Sequence, residues 1–261
     1  MIGPRSIAIG MRQGPRVGLV GGSDPLSGVT RDSGNGNYFP SSSTEWNTFL
    51  SAVGVSSGGP SSLWLMQEAS GNPADSIGSI TLTANNITLY QQTITGVSRK
   101  GIKGVDGTAN SNIRNATTAA NPSTTSCLAV CFVDLPAAPA AGRDVMAIAT
   151  NSDLRYNTTG KLRLVAGATT DIVNVIGAGP RWLALRSNLT ATTVTVFTPQ
   201  EKFVGTWTLP TNAAHIAFGG DNLAIPAATF AYGCEFTGSA AEKSDAEVKA
   251  IFLGLGTTAP W

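Results

Sequence analysis

Residues 125–135 read TSCLAVCFVDL, and within this stretch Leu128–Val133 is an unbroken apolar run rich in strand-forming side chains. Valine, phenylalanine and cysteine in a short run of this kind are typical of a strand buried on both faces. The stretch therefore predicts the central strand of a sheet. Further strands are predicted at regular intervals on both sides of it, over 62–69, 79–84, 144–150, 161–167, 171–177, 181–187, 192–198, 215–220 and 228–236.

The composition indicates the same class of fold. Charged residues make up only 13% of the 261 residues, about half of the ~25% usual in soluble domains. Long surface helices need lysine and glutamate, whereas the 30 glycines and 14 prolines suit many turns. Strands that alternate apolar and polar residues between such turns predict an all-β, two-sheet antiparallel jelly-roll sandwich.

Two short capping helices are also predicted. Ser42 and Glu45 have the spacing of a capping box, and Gly54 is expected to end that helix. Ser244 and Glu247 repeat the spacing near the C-terminus. The predicted apolar faces are Trp46, Phe49, Leu50 and Val53 in the first helix and Val248, Ile251 and Phe252 in the second, which Gly254 and Gly256 should end.

The first 60 residues differ in amino-acid composition from the rest of the chain. Glycine, proline and serine are dense there, as in GGSDPLSGVTRDSGNGNYFPSSS (residues 21–43). We therefore predict a loop-rich N-terminal arm over 1–60 and a jelly-roll domain over 61–261. Segments of this composition rarely stay ordered at a terminus unless they pack on something. The arm is accordingly expected to contact other protein chains of an oligomeric or capsid-like assembly.

Charge and hydropathy exclude several partners. The net charge is +1, and the longest basic run is the pair Arg99–Lys100. This pattern argues against nucleic acid and against an anionic membrane surface. Arginines interrupt the N-terminal apolar stretches, the longest of which, 6–11, is too short for a signal peptide. No segment approaches the ~20 apolar residues of a transmembrane helix.

Three cysteines leave the disulfide question open. Cys127 and Cys131 lie four residues apart in one predicted strand, which separates them by ~13 Å and prevents a bridge. Either of them could still reach Cys234 from a neighbouring strand. Three buried free thiols in a reducing compartment are the favoured interpretation.

Several stretches together resemble the concanavalin A-like, laminin-G-like jelly-roll domains found in surface-adhesion and phage virion proteins. The resemblance covers about 62–255 and implies a lectin-like β-sandwich. It implies calcium only where an acidic loop is present, and this sequence has no clear one. The stretches that carry it are SLWLMQEASGNPADSIGSITLTANN (62–86), GVDGTANSNIR (104–114), TSCLAVCFVDL (125–135), RWLALRS (181–187), HIAFGGD (215–221) and FAYGCEFTGSAAEKSDAEVKAIF (230–252).

Residues that could carry chemistry are few. No strand has the paired carboxylates that a retaining glycosidase needs at ~5–5.5 Å. His215 is the single histidine, and no Gly-x-Ser-x-Gly elbow is present to build a triad around it. Zinc needs three or four closely spaced ligands, and GAGPRW at 177–182 is interpreted as a turn rather than a dinucleotide loop. We therefore predict no catalytic, cofactor or metal site. Most acidic residues are expected in turns, namely Asp24, Asp32, Asp75, Asp106, Asp153 and Asp221.

Aromatic residues could form a sugar platform, because a flat ring stacks on the apolar face of a pyranose. Trp64, Trp182 and Trp207 have apolar strand neighbours and are predicted to lie in the core, and Trp46 has a helix face to bury it. Tyr90, Tyr156 and Trp261 are less constrained. The sequence identifies no single ligand-binding residue.

Three functions compete. The first is a non-enzymatic, virion-associated structural protein, such as a phage capsid decoration or fibre component. The alternative is a carbohydrate-binding or adhesion module for cell-surface glycan. The third is a glycan-active enzyme, for which Glu68 and Asp75 would be the first residues to test. The virion protein is favoured, because it accounts together for the lack of a predicted export signal, the lectin-like domain and the loop-rich arm.

Overall fold

The computed structural model describes residues 24–104, 112–115, 125–139, 141–149, 152–166, 168–206, 214–219 and 227–261, and these residues form two antiparallel sheets. Sheet 1 contains, in spatial order, β13 (Lys202–Thr206), β12 (Thr193–Phe197), β11 (Gly179–Asn188), β6 (Cys127–Leu135), β15 (Thr229–Thr237), β4 (Lys100–Lys103) and β3 (Leu89–Thr93), and β1 (Ser62–Trp64) also pairs with β15. Sheet 2 contains β10 (Ala168–Val175), β9 (Lys161–Ala166), β8 (Ser152–Tyr156), β7 (Arg143–Ala149), β14 (Ala214–Phe218), β5 (Asn112–Arg114) and β2 (Thr83–Asn85). The all-β sandwich is confirmed.

Strand β6 is the centre of sheet 1, between β11 and β15, as its apolar run predicts. Successive side chains of a strand point to opposite faces. Accordingly Ala129, Cys131 and Val133 lie in the core between the sheets, whereas Val130 and Phe132 lie in a second core on the other face. Sheet 1 is therefore a middle layer that is buried on both sides.

Two helices cover the outer face of sheet 1. They are α1 (Ser43–Ala52) and α2 (Asp245–Leu255), and a short 3-10 turn at Gly238–Ala240 precedes α2. Trp46 and Phe49 of α1 are fully buried in the second core, together with Ile251 and Phe252 of α2. The outer layer thus includes residues from the predicted arm. Whether 1–60 separates as an arm stays a prediction, and its residues 1–23 lie outside the described part of the chain.

The helix ends follow the predicted capping residues with two differences. Ser42 Oγ accepts a hydrogen bond from the Glu45 backbone N–H at 3.2 Å, but the Glu45 carboxylate instead binds the N–H groups of Thr30 and Ser41. The box at Ser244 is complete. Gly254, predicted as a terminator, lies inside α2, and the left-handed cap is Gly256 with φ 96°.

Five strands were not predicted: β3, β4, β5, β8 and β13. They carry few apolar residues, so their pairing is set by neighbouring strands rather than by pattern. The strand predicted over 62–69 stops at Trp64, because Met66 adopts a left-handed φ of 54° and leaves the sheet. Asp153, predicted in a turn, lies in β8, and Asp106 and Asp221 fall outside the described residues.

The three cysteines are free and buried. Cys127 and Cys131 face sheet 2, whereas Cys234 faces the helices. A sheet lies between them, so neither of the disulfides that the sequence left open can form. Among the described helices, neither is long and apolar enough to cross a bilayer.

Candidate functional site

The outer face of sheet 2 carries polar side chains in a regular pattern. In β8, Leu154 and Tyr156 point into the core, so Asp153 and Arg155 point away from it. The same alternation in β9 places Arg163 on the outer face, and the register sets it directly opposite Arg155. We call this surface, with Asp144, Asp153, Arg155 and Arg163 at its centre and Asn112 towards one edge, the polar face.

An ion-pair network organises the polar face. Arg155 donates from Nε to Asp144 Oδ1 at 2.8 Å and from Nη2 to Asp153 Oδ2 at 2.9 Å. Both carboxylates are almost fully buried, at 0% and 1% exposed, whereas Arg155 keeps 27%. Buried charges are tolerated only when they are paired and hydrogen-bonded. The two carboxylates therefore fix the plane of the guanidinium.

The guanidinium keeps donors for another molecule. Its Nη1 has no hydrogen-bond partner among the residues that the structure describes, and the side chain is partly exposed. Amides lie on the same face, where Asn85 Nδ2 donates to Asn112 Oδ1 at 2.8 Å. A fixed cationic donor that stays partly exposed suits a ligand that is rich in oxygen acceptors.

The aromatic candidates lie elsewhere. Trp46, Trp64 and Trp182 are fully buried, as predicted, and Tyr156 is buried as well. Trp261 packs its ring on the core and donates from Nε1 to Thr198 O at 2.9 Å. Tyr90 is half-buried in the edge strand β3, and Trp207 lies outside the described residues. None of the described candidates lies on the polar face.

Glu235 is a titratable group that the sequence did not single out. It is 4% exposed on the inner side of β15, and burial raises its pKa to about 7. The nearby Asp75 charge raises it further, while a hydrogen bond from the Cys127 thiol lowers it. The Asp75 carboxylate accepts hydrogen bonds from backbone N–H groups, among them those of Leu63 at 2.9 Å and Gly78 at 2.8 Å. These bonds hold the loop that contains Asp75.

Metal ligands do not converge in the described part of the chain, where no group of three His, Cys, Asp or Glu side chains could hold an ion. His215 belongs to β14, but its side chain is outside the description. Glu68, named as a possible enzyme residue, accepts the Ala74 N–H at 3.2 Å.

Comparison with known proteins gives likeness in structure alone. No protein-family model and no curated protein matches the sequence. Trypanosoma rangeli sialidase as its covalent intermediate with 2,3-difluorosialic acid matches with a TM-score of 0.58 at 12% identity, over 77% of this chain and 34% of that one. The same sialidase in complex with sialic acid gives 0.57 at 12% identity, over 74% and 32%. Ruminococcus gnavus IT-sialidase CBM40 bound to alpha2,3 sialyllactose gives 0.41 at 13% identity, over 57% and 96%.

The chain spans about a third of the length of the sialidases that it matches. At 12% identity this likeness shows a shared lectin-like β-sandwich fold. The prediction of a virion-associated structural protein is wrong, because the structures sharing the fold are sialidases, which the carbohydrate-binding alternative fits better. Assembly partners bound through residues 1–60 and a place in the virion gain no support.

Proposed function

We propose that this chain is a carbohydrate-binding module that holds its glycan on the polar face. The observation that carries the proposal is the clamped guanidinium of Arg155, fixed by Asp144 and Asp153 on the sheet face that neither described helix covers. A preorganised donor loses little conformational entropy when a ligand oxygen binds it. Bidentate or paired contacts from arginine are also among the stronger hydrogen bonds.

The choice of glycan as the ligand is supported by the fold. The sialidase that shares this sandwich is described in complex with sialic acid, a sugar that carries a carboxylate. Arg155 and Arg163 lie opposite each other on β8 and β9 of this chain. A glycan with an acidic residue is favoured, because a carboxylate is the oxygen acceptor that the fixed guanidinium of Arg155 binds most strongly.

Binding without catalysis is part of the proposal. A glycosidase of the common two-carboxylate kind needs one carboxyl group that can give up a proton to the substrate and a second carboxylate close to it. Asp144 and Asp153 are both engaged by Arg155 and buried. Glu235 has the raised pKa of an acid but faces the core beside Cys127. Release of sugar from a panel of sialylated and uronic acid oligosaccharides, abolished in Glu235→Gln, would contradict this part.

A glycan array probed with the full chain and three variants tests the proposal. Arg163→Gln should weaken binding to acidic glycans about 10-fold or more, the size expected for a lost charged hydrogen bond. Arg155→Gln should weaken binding by a similar factor. Because it also leaves two buried carboxylates without their partner, its folding is checked by circular dichroism. Lys100→Gln removes an exposed positive charge from sheet 1 and should leave binding unchanged. Equal binding of acidic glycans by Arg163→Gln and the parent chain would contradict the proposal.

A further inference from the structure

Four tryptophans are described, and three of them give their indole N–H to the protein. Trp46 donates to Tyr232 Oη at 2.9 Å, Trp64 to Ile80 O at 2.7 Å, and Trp261 to Thr198 O at 2.9 Å. Trp182 Nε1 is buried and finds no acceptor among the described residues. Buried donors are nearly always satisfied, so this indole is an exception among the described tryptophans.

The Trp182 ring cannot turn to find an acceptor within the core. It packs against the rings of Phe39, Phe132 and Tyr232, with centroids 5.1, 5.2 and 5.4 Å away. All four side chains are buried in the core beneath the helices. Dense packing on several sides holds a side chain in one rotamer. The position of the indole N–H is therefore fixed.

Trp182 lines a cavity of about 310 Å³ at the end of sheet 1 where β11 begins. Four separate chain segments meet there and contribute Asn37, Arg181, Gln200 and Thr257. No acidic residue is among the described lining residues. The cavity has the volume of a small ligand site, at the lower end of the ~300–1,000 Å³ usual for such sites.

Arg181 is the charged residue among the described lining residues of the cavity. Its side chain is buried and donates to the carbonyls of Ile176, Ala178 and Gly179. It forms no salt bridge with a described residue; burial lowers the pKa of its guanidinium, and Tyr156 and Asp134 act in the opposite direction. A guanidinium has five N–H donors, so two remain after these three bonds. They can bind an anion.

Two amide side chains complete the polar lining. Those of Asn37 and Gln200 have no hydrogen-bond partner among the described residues, and Gln200 is exposed at the rim. Asn37 lies against the end of α2, where a Cβ on Gly256 would come within 2.6 Å of its Oδ1. Glycine at 256 therefore allows the helix end to close this side of the cavity.

We propose that this cavity binds a small hydroxylated carboxylate of the size of one sugar acid. The carboxylate pairs with Arg181, and the ligand lies against the Trp182 side chain that lines the cavity. Hydroxyl groups bind the amides of Asn37 and Gln200. The site is distinct from the polar face, because Trp182 belongs to the core on the opposite side of sheet 1.

The test follows the indole N–H signals in ¹H–¹⁵N spectra of the full chain during titration with D-glucuronate, and Trp182→Phe identifies the Trp182 signal. We expect glucuronate to shift that signal in a saturable way. Glucose, which lacks the charge, and acetate, which lacks the hydroxyls, should bind at least 10-fold more weakly. A Trp182 signal that does not move with glucuronate overturns the site, and equal affinity for glucose or acetate overturns the ligand class.

Variants separate this site from the proposed function and from loss of folding. Gln200→Ala changes an exposed rim residue and should weaken glucuronate binding roughly 3- to 10-fold, as expected for a neutral hydrogen bond. The control Trp261→Phe removes an indole that is not among the described lining residues of the cavity, and it should bind normally. Arg163→Gln on the polar face should also bind normally. Binding lost in Arg163→Gln but kept in Gln200→Ala would place the ligand on the polar face instead.

Discussion

The thiol of Cys127 donates a hydrogen bond to Oε1 of Glu235, with 3.3 Å between sulfur and oxygen, inside the sandwich. The pair joins the inner faces of β6 and β15 at a place where the surrounding side chains are apolar. Burial raises the pKa of both groups, that of Glu235 to about 7. A thiol is a weak donor, so it compensates little of the cost of a buried carboxylate.

Stability should therefore fall as the pH rises through neutrality. The pKa of Glu235 is higher in the folded chain, about 7, than its ordinary value of 4.5. The protonated carboxyl stabilises the fold fully below pH 4.5, and this contribution is lost as the pH rises through 7, at a cost of roughly 3 kcal/mol. We expect Glu235→Gln to be more stable than the parent chain at pH 8.5, with a difference that shrinks towards pH 4.5, as measured by urea unfolding.

The control for this experiment is Glu242→Gln, which alters an exposed glutamate after the 3-10 turn. Its stability relative to the parent chain should change little between pH 4.5 and 8.5. A Glu235→Gln variant that follows the parent chain at every pH would show that the Glu235 carboxylate is ionised and solvated in the folded protein.

The hydroxyl of Tyr232 connects helix α1 to sheet 1. It accepts from Trp46 Nε1 at 2.9 Å and donates to Pro40 O at 2.6 Å. Tyr232→Phe leaves a buried donor and a buried acceptor unpaired, which should lower the free energy of unfolding by about 2 kcal/mol. Tyr38→Phe, at a half-buried hydroxyl, should cost under about 0.5 kcal/mol. Equal costs in urea unfolding would mean that residues 40–46 do not contribute to this core.

Close packing of α1 on α2 makes a second test of whether the segment before residue 60 belongs to the domain. A Cβ on Gly254 would lie 2.5 Å from Val53 Cγ1 and 2.9 Å from Phe49 Cζ. Gly254→Ala should therefore cost about 1–3 kcal/mol through overpacking. Gly28→Ala, where the added Cβ meets nothing within 4 Å, is the matched control and should be near neutral. If limited proteolysis removes α1 equally from both variants and the parent chain, α1 belongs to a separable arm.

The fold was predictable where burial on both faces leaves a strong pattern. Strand β6 is apolar along nearly its whole length, and the two helices begin at the predicted serines, Ser42 and Ser244. Strand β8 was missed because Ser152–Tyr156 is half polar and short, so that the pattern alone does not separate it from a turn. It forms because β7 and β9 offer backbone partners on both sides.

The polar face was not predictable. Asp153 and Arg155 are two residues apart and share a face, but Asp144 comes from the neighbouring strand through a register that contains bulges. Spacing along the chain does not show which carboxylate a cross-strand register brings to an arginine. The cavity beside Trp182 is even harder to predict from the sequence, because two of its lining residues, Asn37 and Thr257, are 220 residues apart in the chain.

By itself, the sequence determined the class of fold, the central strand and the helix caps. These depend on local pattern, namely the two-residue period of strands, the side-chain hydrogen bonds of the first helical turn, and the low density of charge. Only the tertiary structure decided which charged groups meet at Arg155, that Cys234 faces away from Cys127, and that the indole of Trp182 finds no acceptor in the described part of the chain. Such properties arise from register and from contacts between distant segments, and both are set by the packing of the whole sandwich.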